Sequence, residues 1–130
     1  MSPQQDQTVR ALLDAIVAKD MRAAAEVFAP DASYHVRAWE DPVIGTAAIT
    51  AEFERQGGIF ADFSYEILTA VSTDTMVFME RIDSMRIAGK PVSLHWASVV
   101  ELDREGRITV MRDYYDTVEL QNQLATTSAD

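Results

Sequence analysis

The stretch VFMERIDSMRI, residues 77–87, is typical of a β-strand but carries charge where such a strand should be apolar. Alternate residues of a strand point to opposite faces of the sheet, so one face carries the row Val77, Met79, Arg81, Asp83, Met85 and Ile87. This row is apolar at both ends and charged in its middle. Charges on a face that is otherwise buried are very costly unless they are paired. Arg81 and Asp83 therefore form either a structural ion pair on a partly exposed face or part of a reaction site.

Three further strands are predicted beside this one, which extends over 75–87. They are FSYEILTAV (63–71), PVSLHWASVVEL (91–102) and RITVMRDYYD (107–116). Each is bounded by a short connection with turn chemistry, STD, AGK or DREG. Such short connections favour antiparallel pairing of consecutive strands.

Helices are predicted mainly before these strands, from apolar residues at helical spacing and from capping residues. The predicted elements are a helix over 6–19, a helix capped by Asp20 and ended by Pro30, a strand over 32–39, a helix capped by Thr46 and ended by Gly57 and Gly58, and a short last helix capped by Asp116. Helices grouped first and strands grouped last indicate an α+β fold. One sheet with helices on one face leaves a pocket between the two layers.

The composition indicates a single domain, residues 1–130, with 48% hydrophobic residues and a net charge of −10. The acidic balance argues against binding to nucleic acid or to anionic membranes, and it leaves small molecules and other copies of the chain as partners. There is no cysteine, so thiolate chemistry is excluded. The polar start MSPQQDQTVR does not resemble a signal peptide, and no segment is long enough for a membrane span, so a cytoplasmic protein is expected.

A second carboxylate, Asp113, interrupts the last strand in the same way. Its row in RITVMRDYYD contains Thr109, Met111 and Tyr115. Two carboxyl groups with one arginine between them can satisfy one another, and their protons are then coupled. Environments that separate the pKa values of two carboxyl groups produce an acid and a base. The structural alternative for Asp113 is a residue at a strand end.

The segments ERIDSMR (80–86) and MRDYYD (111–116), with DASYHV (31–36) before them, closely resemble the limonene-1,2-epoxide hydrolase family of the NTF2-like or SnoaL-like superfamily. The order and spacing of these motifs agree with that family over most of the chain. The resemblance implies a cone in which a curved, mixed or antiparallel sheet and three to four helices enclose a pocket. It also implies a homodimer.

The same resemblance implies hydrolysis of an epoxide in one step, without a covalent intermediate and without a cofactor. Asp113 would be the base that activates water, Asp83 the acid that protonates the epoxide oxygen, and Arg81 the bridge between them. Tyr34 would help to hold the water. The substrate pocket would be lined by Val36, Met85, Leu94, Trp96, Met111 and Tyr115. Histidine spacings typical of metal sites do not occur, so no metal is expected.

Three positions depart from the family pattern and leave other functions open. Val36 stands where the family has an asparagine that supports the water, Met111 replaces a tryptophan, and Trp96 replaces an aliphatic residue. A drier pocket would suit abstraction of a carbon-bound proton, as in an isomerase, cyclase or dehydratase. A non-catalytic carrier of hydrophobic ligands is a third class, since fold alone does not decide function. His35 and His95 could be general bases, but strand alternation directs both away from the pocket.

Overall fold

The computed structural model describes residues 3–125. Within them the chain forms four helices and six strands, and all six strands belong to one sheet. In chain order the elements are α1 (Pro3–Val17), α2 (Met21–Glu26), β1 (Phe28–His35), β2 (Val43–Ile44), α3 (Thr46–Gly57), β3 (Phe60–Ser72), β4 (Met76–Ile87), β5 (Lys90–Leu102), β6 (Ile108–Tyr115) and α4 (Thr117–Ala125).

The sheet has the strand order β2-β1-β6-β5-β4-β3 and is curved but not closed. Strands β3 to β6 pair antiparallel with their sequence neighbours, as their short connections predict. β1 pairs parallel with β6, so the first and the last strand of the chain are neighbours within the sheet. The predicted α+β fold with a curved mixed sheet is confirmed.

The core lies between the helices and the inner face of the sheet. α1 contributes apolar residues at helical spacing, and α3 contributes Ile49 and Phe53. From the sheet come the inward rows of β4 and β5, including Val77, Met79 and Val100. Burial of such side chains contributes about 25 cal/mol per Å² of apolar surface and is the main force that holds the helices on the sheet.

The predicted second helix is too long. α2 ends at Glu26, and the chain from Phe28 is already strand, with Pro30 inside it. Pairing with the last strand overrides the local helical preference, since Phe28 is paired with Ile108. The register is irregular between Phe28 and Ser33, and a proline, which has no N–H to donate, is tolerated at such an irregularity.

Two of the three predicted helix caps are confirmed. The Asp20 carboxylate accepts from the backbone N–H of Ala23 at 3.1 Å, and Asp116 accepts from the first turn of α4. The prediction for Thr46 is wrong, because the cap residue of α3 is Gly45. Gly45 has φ +92°, a conformation open to glycine, so the chain turns one residue earlier than predicted. The two-residue edge strand β2, within a predicted loop, pairs antiparallel with Ser33 and Tyr34.

The outer face of the sheet carries several apolar side chains, among them Phe78, which is 44% exposed, and Tyr114. His95 is exposed on the same face, opposite Ile82. The homodimer stays a prediction. Between Pro3 and Ala125, no helix is both long enough and apolar enough to cross a membrane.

Candidate active site

A cavity of about 230 Å³ lies between the inner face of the sheet and the helices. Most of its wall is apolar and comes from α1, α3 and the strands. All ten residues that the sequence predicts for the site line this cavity: Tyr34, Val36, Arg81, Asp83, Met85, Leu94, Trp96, Met111, Asp113 and Tyr115. The structure thus brings together residues from β1, β4, β5 and β6.

Arg81 and Asp83 form a bidentate ion pair inside the pocket. They lie two residues apart on β4, so both side chains point to the inner face. Arg81 Nε and Nη2 donate to the two carboxylate oxygens of Asp83, each at 2.9 Å, and both residues are 2% exposed. Burial opposes the charge on Arg81, but its hydrogen bonds to Asp83 and the charges of Asp83 and Asp113 together outweigh burial and raise its pKa, so the guanidinium stays positive.

Ser98 connects this ion pair to the second carboxylate. Arg81 Nη1 donates to Ser98 Oγ at 3.0 Å, and Ser98 Oγ donates to Asp113 Oδ1 at 2.7 Å. The family resemblance implies that Arg81 bridges the two carboxyl groups. In the structure Arg81 bonds Asp83 directly and reaches Asp113 through Ser98, because Ser98 is the residue of β5 that lies opposite Asp113 in the sheet register.

Asp113 is 2% exposed and accepts two hydrogen bonds from side chains. Ser98 donates to Oδ1, and the Tyr34 hydroxyl donates to Oδ2 at 3.3 Å. Burial raises the pKa of Asp113 to about 6, against the charge of Arg81 and the Ser98 hydroxyl, which lower it. The indole N–H of Trp96 also favours the carboxylate, although it is buried and makes no hydrogen bond within the described residues. A carboxyl group with such a pKa can act as a general base near neutral pH.

Four polar residues of the site were missed by the sequence reasoning. Arg37, Arg55 and Gln56 line the cavity, and Ser98 bonds Asp113. Ser98 belongs to the inward row Leu94, Trp96, Ser98, Val100, and a polar residue among apolar ones was the available signal. Gln56 follows Phe53 by three residues on α3, so both side chains lie on the same side of that helix. Its amide Nε2 donates to Tyr34 Oη at 3.4 Å.

The Trp96 and Tyr115 rings form one wall of the cavity. They are stacked with centroids 4.1 Å apart and an interplanar angle of 5°. Both rings also line a second, more open cavity of about 430 Å³, so the stack separates the two spaces. Trp39 lies against Tyr115 on the outer side and is 57% exposed, and Arg37 donates to the Tyr115 hydroxyl at 3.2 Å.

Neither histidine lines the main cavity. His35 Nδ1 lies 3.0 Å from the carbonyl oxygen of Glu40, and His95 lines the second cavity on the outer side of the sheet. Within residues 3–125, no group of three or more histidine, aspartate or glutamate side chains is placed to hold a metal ion. The polar groups that line the main cavity are carboxyl groups, hydroxyl groups, the Gln56 amide and the guanidinium groups of three arginines, of which Arg81 is buried.

The fold and this pocket are those of a SnoaL-like α+β domain. The sequence model of the SnoaL-like domain family matches residues 9–111, and the chain belongs to that family. The match contains all ten predicted site residues except Asp113 and Tyr115, which lie just beyond its end. Among curated proteins, no sequence matches this chain.

Three solved structures with the same fold are described as enzymes of different reaction classes. An LEH-like epoxide hydrolase from M. tuberculosis is 24% identical, with a TM-score of 0.80 over 95% of this chain and 91% of that one. The epoxide hydrolase/cyclase-like enzyme SalBIII, which has a role in pyran ring formation in salinomycin, is 19% identical, with a TM-score of 0.80 over 90% and 94%. A protein from Shewanella denitrificans assigned as a SnoaL-like polyketide cyclase is 19% identical, with a TM-score of 0.83 over 95% and 98%. At these identities the likeness shows the fold.

Proposed function

We propose that this protein is a cofactor-independent epoxide hydrolase that adds water in one step to an epoxide of a small hydrophobic substrate. The observation that carries the proposal is the hydrogen-bonded connection Asp113–Ser98–Arg81–Asp83 on the wall of an apolar cavity. Two carboxyl groups in unequal environments, joined through one cation, are suited to act as a base and an acid in the same step.

In the proposed reaction Asp113 accepts a proton from water while the water oxygen attacks an epoxide carbon. The carbon–oxygen bond of the epoxide breaks, and the epoxide oxygen takes a proton from Asp83, so that the product is a diol. The step therefore needs Asp83 in its protonated form, whereas the resting structure shows it as the ion-pair partner of Arg81. The proton that Asp113 has taken from water must return to Asp83 before the next turnover. Arg81 with one carboxylate and one protonated carboxyl group makes a neutral cluster, which suits a buried site. Arg81 keeps its charge throughout and holds both groups in place, Asp83 directly and Asp113 through Ser98.

The walls of the cavity support a small, apolar substrate. Leu94, Met85 and Phe60 supply carbon surface, and the volume of about 230 Å³ limits the size of the molecule. Removal of such a substrate from water favours binding in proportion to its apolar area. The polar groups then fix the orientation of the reacting ring.

A second candidate function is a proton-transfer reaction, such as isomerisation or cyclisation of a ketone-bearing substrate. Val36 favours it, because this residue lines the wall near Tyr34 and offers no hydrogen bond to a water. Asp113, with its pKa of about 6, could then accept a proton from carbon. A carrier of hydrophobic ligands would use the same cavity without either carboxyl group taking part.

The experiment that tests the proposal is turnover of a panel of small epoxides (cyclic terpene, styrene-type and cycloalkene) in oxygen-18 water. We expect a diol with one labelled oxygen, located by mass spectrometry at the attacked carbon. Folded protein that yields no diol from any epoxide, but exchanges deuterium into a ketone or cyclises it, would establish the proton-transfer reading instead. Binding of a hydrophobic ligand without turnover of any epoxide or ketone would support the function of a non-catalytic ligand carrier.

On the acid side of its pH profile, the rate of hydrolysis is expected to rise with pH up to the pKa of Asp113. Because the base must be deprotonated, and because burial raises its pKa to about 6, kcat/KM should fall about tenfold per pH unit below pH 6. The pH profile of kcat/KM with a neutral epoxide measures this directly. An acid limb that lies near pH 4 would show that another group is the base.

A further inference from the structure

Hydrogen bonds continue from Asp113 beyond the pocket wall into α3. Tyr34 Oη donates to Asp113 Oδ2 at 3.3 Å, and Gln56 Nε2 donates both to Tyr34 Oη at 3.4 Å and to Glu52 Oε2 at 2.8 Å. Arg55 in turn donates to both oxygens of Glu52, at 2.6 and 3.1 Å. Five side chains are thus connected, from the base of the proposed reaction to the surface of the protein.

The direction of these bonds follows from the charge of Glu52. Burial opposes its ionisation, but the hydrogen bonds from Arg55 and Gln56 and the charges of Arg55 and Arg37 together outweigh burial and lower the pKa of Glu52. An ionised carboxylate can only accept hydrogen bonds, so Gln56 must turn its NH₂ group toward Glu52. The second N–H of the same group then faces the oxygen of Tyr34.

Tyr34 has one hydroxyl proton, and the positions of its two hydrogen-bond partners allow it to be donated to only one of them. Because the oxygen accepts from Gln56, the proton is directed at Asp113. Burial, together with the charge of Asp113, raises the pKa of Tyr34 well above its usual value, so the proton is retained. Ser98 is committed in the same way from the other side, since its oxygen accepts from Arg81 and its proton goes to Asp113.

We propose that Gln56 is a positioning residue whose amide, fixed by Glu52, commits the Tyr34 proton to Asp113 and so holds Asp113 in its ionised, basic form. Among the described residues that line the cavity, Gln56 is the only carboxamide. Val36, on the same wall, has no group that could donate a hydrogen bond to Tyr34 in place of Gln56. The bonds of 3.3 and 3.4 Å are long, as catalytic hydrogen bonds commonly are before substrate binds. The expected effect of Gln56 on turnover rests on the proposed function, whereas its expected effect on the ionisation of Asp113 does not.

The test is titration of the Asp113 side chain by carbon-13 NMR, which needs no substrate. Gln56→Met keeps the length of the side chain and removes its hydrogen bonds. The pH at the midpoint of the Asp113 titration should rise by about half a pH unit to one pH unit, since a hydrogen bond to the ionised form is lost or weakened. Tyr34→Phe should raise it by a similar amount or more, and adding Gln56→Met to Tyr34→Phe should change nothing further. Glu52→Gln, which releases the amide without removing it, should give a smaller shift in the same direction.

Gln121→Met is the matched control, since Gln121 is exposed on α4 and should leave the midpoint unchanged. An unchanged midpoint in folded Gln56→Met, or shifts that add in the double variant, would overturn the proposal. If epoxides are substrates, kcat of Gln56→Met should fall about fivefold to tenfold with little change in KM, and the acid limb should move with the NMR midpoint. If no epoxide is hydrolysed, the proposed function fails while the titration still decides the role of Gln56.

Discussion

Replacing Asp113 by asparagine is expected to abolish hydrolysis and, at neutral pH, to make the protein more stable. Without the base, kcat/KM should fall by about 10²–10⁴. The stability change follows from the raised pKa: the folded protein holds Asp113 at about 6 against an ordinary value of 3.8, so ionisation costs folding free energy above pH 6. The difference of about two units corresponds to about 3 kcal/mol at most, reduced by weaker hydrogen bonding of the amide.

Urea unfolding of both proteins at two pH values measures this effect. At pH 7.5 the Asp113→Asn variant should have the larger free energy of unfolding, by about 1–3 kcal/mol. The gain should shrink as the pH falls through 6 and vanish below 3.8, where Asp113 is neutral in both the folded and the unfolded wild type. The exposed Asp41 offers a matched control, because Asp41→Asn should change neither activity nor stability. A variant that is less stable than wild type at pH 7.5 would contradict the assignment of a costly buried charge.

Removing the cation of the buried ion pair is expected to have the largest effect on stability. In Arg81→Met, Asp83 would keep its burial but lose both hydrogen bonds and its counter-charge. Breaking a buried pair in this way costs about 3–5 kcal/mol, a large part of the stability of a domain of this size. Hydrolysis should also be lost, because Ser98 no longer receives the hydrogen bond that directs its proton to Asp113.

A second variant shows whether the uncompensated charge is the cause. Arg81→Met combined with Asp83→Leu removes both charges, and replacing a whole buried pair by apolar residues is often close to neutral for stability. The double variant should therefore be more stable than Arg81→Met alone by about 2 kcal/mol or more, while it remains inactive. Arg104→Met, in an exposed turn, is the control for the substitution itself. Equal instability of the single and double variants would instead point to a packing defect around residue 81.

The parts of the site that could be predicted from the sequence are those that depend on strand alternation alone. A period of two places Arg81 and Asp83 on one face, and it places Asp113 and Tyr115 on one face of the last strand. Whether β4 and β6 direct these residues to the same face of the sheet depends on the register of the strands. The family resemblance implies that they share one pocket, and in the structure all four residues line one cavity.

Ser98 and Gln56 could not be assigned in this way. Ser98 acts as a relay because it lies opposite Asp113 in the register between β5 and β6, and register is a tertiary property. Gln56 reaches Tyr34 only because α3 packs over β1. The errors at Pro30 and Thr46 have a similar origin: pairing of β1 with β6 overrides local helical preference, and a backbone turn at Gly45 sets the start of α3.

The parallel pairing of β1 with β6 has a consequence for the order in which the protein folds. Strands β3 to β6 can form by closing short hairpins, whereas β1 joins β6 only by closing a loop of many tens of residues, which is slower. Arg81, Asp83, Ser98 and Asp113 all lie on the hairpin strands, and Tyr34 lies on β1. We expect pulse-labelled hydrogen exchange to show protection of β4 and β5 amides before those of β1. The charged groups would then find their partners while water still surrounds them, and the strand and helices that close over them would desolvate an assembled cluster rather than separate ions.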